Sequence, residues 1–197
     1  MLSKLIISGI LGCTLLLAGC KTNESGGNFT VSGNIKNAEN QKLLLQEVPY
    51  GGKAIITLDS ITIDKEGNYE FKFIAKQEGI YRLATDKEFE IIFINDDENI
   101  KISADAANYS SYSVKGSNST LSLFEFLKQY RQKDSSLFAT LYNLDALQKQ
   151  NGKDSTIFWL QKQKVEKIKN LNDFVETNIT SATSPAFIYY TLGLGLR

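Results

Sequence analysis

From Asn28 onward, apolar and polar residues alternate with a period of two. That is the pattern of strands with one face in a core and one in water. Phe29, Val31 and Ile35 alternate with Thr30, Ser32 and Asn34 in a first strand. Leu43 and Leu45 begin a second, stopped by Pro49-Tyr50-Gly51-Gly52. Ile56 and Leu58 lead a third, but Ile61 and Ile63 sit on the opposite parity, so a bulge is predicted near Asp59-Ser60. Asp64-Lys65-Glu66-Gly67-Asn68 reads as a turn, and Tyr69, Phe71 and Phe73 follow in regular alternation with Glu70 and Lys72. Tyr81 and Leu83 form a further strand. Phe89 to Ile94 becomes apolar on both faces toward its end, which predicts a central strand. Asn95-Asp96-Asp97-Glu98-Asn99 turns the chain, and Ile100, Ile102 and Ala104 are predicted to return antiparallel. Tyr112 and Val114 give a last short strand. Seven or eight short strands at close spacing argue a β-sandwich or a partly open barrel, with an antiparallel sandwich the expected fold.

After Gly116 the period changes to that of a helix. Ser122 and Glu125 fit a capping box. Leu121, Phe124 and Leu127 start an apolar stripe that Phe138, Leu141 and Leu144 resume after Asp134-Ser135-Ser136. Asn151-Gly152 ends that segment, and Asp154 or Ser155 can cap the next. Its stripe is Ile157, Leu160, Ile168, Leu171 and Val175, with Lys162, Lys164, Lys167 and Lys169 mostly on the wet side. Ser184-Pro185 marks a third start, a cap followed by proline at the first helical position. The fold class is α+β, a sandwich followed by a helical hairpin. Phe187 to Leu192 is apolar and aromatic with almost no polar face. Either it buries itself between sandwich and helices or it once packed on something no longer present; the composition favours the second.

The N-terminus reads as an address. Lys4 precedes an apolar run from Leu5 to Leu17, which ends in Leu17-Ala18-Gly19-Cys20. The run has signal-peptide length and is short for a membrane span. The four residues resemble a bacterial lipobox, which implies cleavage between Gly19 and Cys20 and a lipid on the Cys20 sulfur. Lys21–Gly27 is polar, ends in two glycines and reads as a flexible tether of roughly 25 Å at full extension. The expected divisions are a signal peptide over 1–19, a lipidated tether over 20–27, a sandwich over 28–117 and a helical segment over 118–197. Lys21, in place of an aspartate, favours the outer membrane, facing the periplasm. Lys21 with Glu24 loosely resembles a surface-export signal, which leaves the leaflet open.

Composition narrows the chemistry. Among 197 residues there is no histidine, and the two cysteines are Cys13 and Cys20. Cleavage removes the first and acylation consumes the second. The mature chain is then expected to lack any thiol or imidazole, and with them thiol exchange, Cys/His zinc sites and histidine-based triads. Lys plus Arg and Asp plus Glu both number 22, a balance that implies no nucleic-acid partner.

The sandwich segment resembles a known family, domain of unknown function 4369. The resemblance is carried by Phe29-Thr30-Val31-Ser32-Gly33-Asn34-Ile35, Asp64-Lys65-Glu66-Gly67-Asn68-Tyr69-Glu70-Phe71, Gly79-Ile80-Tyr81-Arg82-Leu83, Glu90-Ile91-Ile92-Phe93-Ile94, Ile100-Lys101-Ile102 and Tyr112-Ser113-Val114-Lys115-Gly116-Ser117. It covers roughly Asn28 to Leu127. The family is the N-terminal domain of Bacteroidota lipoproteins that continue into a thioredoxin-like domain with a Trp-Cys-x-x-Cys motif. Here Trp159 has no cysteine near it, so no catalytic residue carries over and none is assigned. The resemblance implies the accessory, non-catalytic half of an envelope thiol-disulfide protein, truncated before its thioredoxin-like domain or independently evolved. The implied partners are the membrane, through Cys20, and a thioredoxin-like domain or another envelope protein. No cofactor or metal is implied.

Other constellations have plain readings beside sharper ones. Asp96-Asp97-Glu98 could ligate calcium but reads as a solvated turn. Asp59 and Asp64 could form a glycosidase pair but read as a bulge and a turn residue. Sequons at Asn28, Asn108, Asn118 and Asn178 read as composition, and Gly193-Leu194-Gly195 lacks the setting of a dinucleotide site. The lysine-rich helix reads as a solvated face rather than a headgroup patch. Tyr50, Tyr81, Tyr109 and Tyr112 could line a sugar or peptide groove and read otherwise as cross-strand packing. A stand-alone peptide- or glycan-binding lipoprotein is the alternative to the accessory module.

Overall fold

A computed structural model describes residues 27–87, 89–150 and 154–194, with the side chains of 109–111 undescribed. The signal segment, Gly19, Cys20, the tether as far as residue 26, and Asn151-Gly152 lie outside the described residues, as does the side chain of Tyr109, whereas Gly27, expected to end the tether, opens β1. The class is α+β. Eight strands come first: β1 (Gly27–Lys36), β2 (Lys42–Glu47), β3 (Ile56–Thr62), β4 (Asn68–Ala75), β5 (Ile80–Thr85), β6 (Glu90–Ile94), β7 (Asn99–Asp105) and β8 (Asn108–Lys115). Helices α1 (Asn118–Lys149), α2 (Asp154–Ser181) and α3 (Pro185–Gly193) follow.

The strands form two four-stranded sheets, ordered β4-β1-β7-β8 and β3-β2-β5-β6. Phe29, Val31, Ile35, Phe71, Ile100 and Ile102 from the first sheet meet Leu43, Leu45, Leu83 and Phe93 from the second. The bulge in β3 falls on Leu58, beside the predicted position: Leu45 stands opposite Asp59 and Gln46 opposite Thr57. That one extra residue reconciles the parity of Ile56 with that of Ile61.

Two expectations about strands are overturned. β7 does not return against β6; it crosses to the other sheet and runs parallel to β1, Val31 opposite Ile100. The crossing is fixed by the Thr30 N–H donating to Glu98 O at 2.8 Å. β6 is an edge strand, not a central one. Its outer face is apolar because α1 covers it. The Thr120 hydroxyl accepts from Ile94 N–H at 2.9 Å and donates to Ile94 O at 3.1 Å. A helix residue thus satisfies backbone groups that an edge would leave open.

Where β1 and β7 run side by side, the pairing breaks after Ser32–Lys101 and resumes at Ile35–Ala104. Tyr69 of β4 lies opposite Gly33 and donates across it to Ile102 O at 2.9 Å. A Cβ on Gly33 would come within 1.8 Å of that oxygen. Glycine is required here so that a tyrosine can fill the gap in the ladder.

The helices build a second core on the outer face of β5 and β6. Ile80 and Ile94 meet Leu123, Phe126, Tyr130, Leu171, Val175 and Phe187. α1 begins at Asn118, capped by Ser117, whose hydroxyl accepts from Thr120 N–H at 2.9 Å. The Ser122/Glu125 capping box is therefore not the start. The helix runs unbroken through Asp134-Ser135-Ser136. Its buried line is Leu123, Tyr130, Leu137 and Leu144 with Phe126, whereas Leu121 and Phe138 of the predicted stripe are exposed. α1 carries apolar residues on more than one face, and contact with β6 and α2 selects among them. On α2, Leu160, Leu171 and Val175 are buried as the periodicity indicates. In α3, Ala186 is 0% and Phe187 3% exposed. The segment Phe187–Leu192 divides: Phe187 and Thr191 close the chain's own second core, whereas Tyr189 at 59% and Leu192 at 53% stay open to solvent on the other face.

Candidate functional site

The β2–β3 and β4–β5 connections meet at the end of the sandwich where β1 begins, since Gly27 stands opposite Ala75. Pro49 with Gly51 and Gly52, the latter two at φ of 76° and 72°, turns the first connection outward. The second passes through Gln77-Glu78-Gly79 and is held by Asn95, whose side-chain oxygen accepts from Gly79 N–H at 2.6 Å. Between them lies a groove of about 590 Å³.

Tyr81 forms its inner wall. The ring packs between Phe73 and Phe93, with centroids 4.9 and 5.6 Å away, and the residue is 5% exposed. Burial, with the nearby Glu47 and Tyr50, pushes its phenol up to about 12. Tyr50 stands across from it, its ring 5.1 Å from that of Tyr189. Burial first, then Glu78, Tyr189 and Glu47, raises the Tyr50 phenol. Both phenols are therefore neutral donors and acceptors at pH 7. Among the described residues neither hydroxyl has a hydrogen-bond partner, and the half-buried Glu47 carboxylate has none either. Glu78 is committed to α3, where its Oε1 accepts from Ala186 N–H at 3.0 Å and from the Ser184 hydroxyl. Lys53 and Lys76 line the groove and are exposed, and Leu58 and Ile74 complete its apolar side.

Of the tyrosines singled out from sequence, the fold brings Tyr50 and Tyr81 together. Tyr112 is elsewhere, its ring 4.2 Å from Phe124 of α1, and burial raises its phenol. Asp96 Oδ2 accepts from Ser119 N–H at 2.8 Å, and Asp97 Oδ1 from Asn99 N–H at 3.1 Å. These are cap and turn bonds. No group of acids fit to hold a metal occurs among the described residues. Asp59 accepts from Ser60 N–H at 2.7 Å, while Asp64 accepts from Glu66 N–H and Asn68 N–H at 2.9 and 2.7 Å. Asp59 thus bonds its neighbour beside the β3 bulge and Asp64 closes its own turn, so they form no pair. On α2, Lys169 pairs with Asp173, and Lys167 reaches α1 at Thr140 Oγ1, 2.8 Å away. Glu47, Lys53, Lys76 and Glu78 carry no periodic signal and are visible as a group only once two distant loops are folded together. Among the described residues no helix is long and apolar enough to cross a membrane.

Residues 29–120 match the family described as Domain of unknown function (DUF4369). No curated protein matches the chain by sequence. Four solved chains show structural likeness. One is the crystal structure of (S)-allantoin synthase, at 8% identity and a TM-score of 0.32, with 48% of this chain and 46% of that one covered. The chain thus spans about half the length of that structure. Likeness at this level transfers no chemistry.

Proposed function

We propose that this chain, whose residues 29–120 match the family described as Domain of unknown function (DUF4369), is a lipid-anchored protein of the bacterial envelope whose folded part is a non-catalytic accessory module of a thiol-disulfide oxidoreductase family. The carrying observation is the order Leu17-Ala18-Gly19-Cys20, followed by a polar tether that ends where β1 begins at Gly27. Two or more acyl chains hold such an anchor stably, at about 0.8 kcal/mol per buried methylene. The sandwich then stands within roughly 25 Å of the bilayer, on the periplasmic side of the outer membrane. Its role is to position a partner, a thioredoxin-like domain or another envelope protein. Thiol exchange needs a thiolate, and both cysteines lie ahead of the tether.

Metabolic labelling with a palmitate analogue tests the anchor: the wild type takes the label and Cys20→Ala does not. Equal labelling of both rejects it. Residues 21–197 should leave dithiothreitol reduction of insulin at its uncatalysed rate, and a clear acceleration rejects the accessory role. The groove between Tyr50 and Tyr81 favours a second reading, a stand-alone lipoprotein that binds a peptide or glycan there.

A further inference from the structure

The groove combines three kinds of side chain. Inside are the half-buried Glu47 and the hydroxyls of Tyr50 and of Tyr81, which have no hydrogen-bond partner among the described residues, Tyr81 being only 5% exposed. On its rim are Lys53 and Lys76, exposed and without an ion-pair partner among the described residues. Beside them are apolar residues open to solvent: Ile74 at 80%, Ile56 at 49% and Leu58 at 42%. One open isoleucine is ordinary, but Ile74 on the outer face of β4 with Ile56 and Leu58 leaves several large apolar side chains open at one end of the sandwich, the kind of surface an apolar partner covers. The chain's own course says which partner lies there. Ile74 adjoins Ala75, which stands opposite Gly27, where the tether to Cys20 enters the fold. The groove therefore opens at the end of the sandwich closest to the anchor.

We propose that this groove binds the phosphoethanolamine headgroup of an aminophospholipid in the bilayer that holds the protein. A primary ammonium has three hydrogens to donate. The Glu47 carboxylate and the Tyr50 and Tyr81 hydroxyl oxygens are the acceptors for them. The phosphate, a few ångströms away along the same headgroup, meets the rim lysines, whose compact charges suit it. Ile74, Ile56 and Leu58 face the glycerol and upper acyl region. A trimethylammonium headgroup has no N–H to donate, so phosphatidylcholine leaves the same acceptors unpaired and binds less well. An anionic headgroup without the ammonium brings its charge toward Glu47. The nearness of groove to bilayer rests on the lipid anchor proposed above; the headgroup contacts do not.

The test uses residues 21–197, which carry both cores but no lipid, in flotation with vesicles. Phosphatidylcholine vesicles containing phosphatidylethanolamine should recover roughly tenfold more protein than phosphatidylcholine alone, the ratio a charged hydrogen bond supports. Glu47→Gln and Tyr81→Phe should abolish that preference while keeping the wild-type circular dichroism. Ile74→Asp should lose flotation yet keep binding to soluble glycerophosphoethanolamine, read by NMR shifts. Equal flotation on both vesicles, retention of the preference by Glu47→Gln, or recovery on phosphatidylglycerol alone overturns the proposal. A groove that serves a peptide or glycan instead gives the first of these results. Should Cys20→Ala label like the wild type while the flotation preference persists, the anchor fails and the headgroup site stands.

Discussion

Glu78 and Ser184 join the sandwich to the last helix: the Ser184 hydroxyl donates to Glu78 Oε1, which also accepts from Ala186 N–H at 3.0 Å. Ser184 in turn accepts from Phe187 N–H at 3.0 Å. One carboxylate from the β4–β5 connection and one hydroxyl thus satisfy the open N–H groups of α3, with negative charge at the favourable end of the helix. Phe187 is delivered into the second core as a result.

Glu78→Ala should therefore lower the stability of the chain by about 1–2 kcal/mol, as loss of a charged cap does. Ser184→Ala should cost about 1 kcal/mol, and the double variant less than the sum, because the two act on the same helix end. Urea unfolding followed by circular dichroism reads all three. Additive losses would mean that the pair does not work as a unit.

Gly33 and Tyr69 predict a second, sharper effect. Gly33→Ala places a methyl 1.8 Å from Ile102 O and should cost about 3 kcal/mol or prevent folding. Tyr69→Phe removes the donor to that buried oxygen and should cost about 1–3 kcal/mol. Wild-type urea midpoints for both would show that the gap between β1 and β7 relaxes freely.

The acid limb of stability should follow two exposed turn aspartates. Asp64 is held below the usual carboxylate range by the Asn68 N–H first, and by the Asn68 side chain, Glu66 and Gly67. Asp105 is lowered by the Asn37 side chain first, then by Ala107 N–H and the Lys36 charge. A depressed folded pKa means that the ionised form is favoured in the fold. That stability is complete above the ordinary aspartate value of about 3.9 and is lost as pH falls through the lower folded values. Urea midpoints should stay level from pH 7 to about 5 and decline below about 4. Asp64→Asn with Asp105→Asn should flatten that decline; an unchanged slope assigns it to other carboxylates.

Two cores predict two responses. Phe126 touches Tyr130, Phe174 and Phe187, with ring centroids 5.7, 5.2 and 5.6 Å away. Phe126→Ala should cost about 3–5 kcal/mol. The loss should fall on the helical signal before the sandwich signal. A span of 27–116 should still unfold cooperatively, because its first core lies between the two sheets. It should also associate as concentration rises, because Ile80, Ile92 and Ile94 lose their helical cover. A structureless spectrum would show that the helices are needed to complete the sandwich.

The sequence alone determined the strands, the bulge, the Ser184-Pro185 start and the absence of histidine. Each follows from local periodicity or residue chemistry, which a neighbour far along the chain does not alter. Residues such as Tyr69, Phe71 and Phe73 alternate because one face must be dry, and that holds in any sandwich. Tertiary structure decided whatever depends on which surfaces meet. The apolar outer face of β6 reads the same whether a strand or a helix covers it, so its edge position waited on Thr120 and α1. Leu121 and Leu123 are equally apolar, and only contact with β6 and α2 chooses between them. The groove was half legible, through Tyr50 and Tyr81. Glu47, the last residue of β2, and Lys53, Lys76 and Glu78 joined them because two loops separated by a full strand pair close on one another, and charged residues in loops and at strand ends carry no period that could announce it.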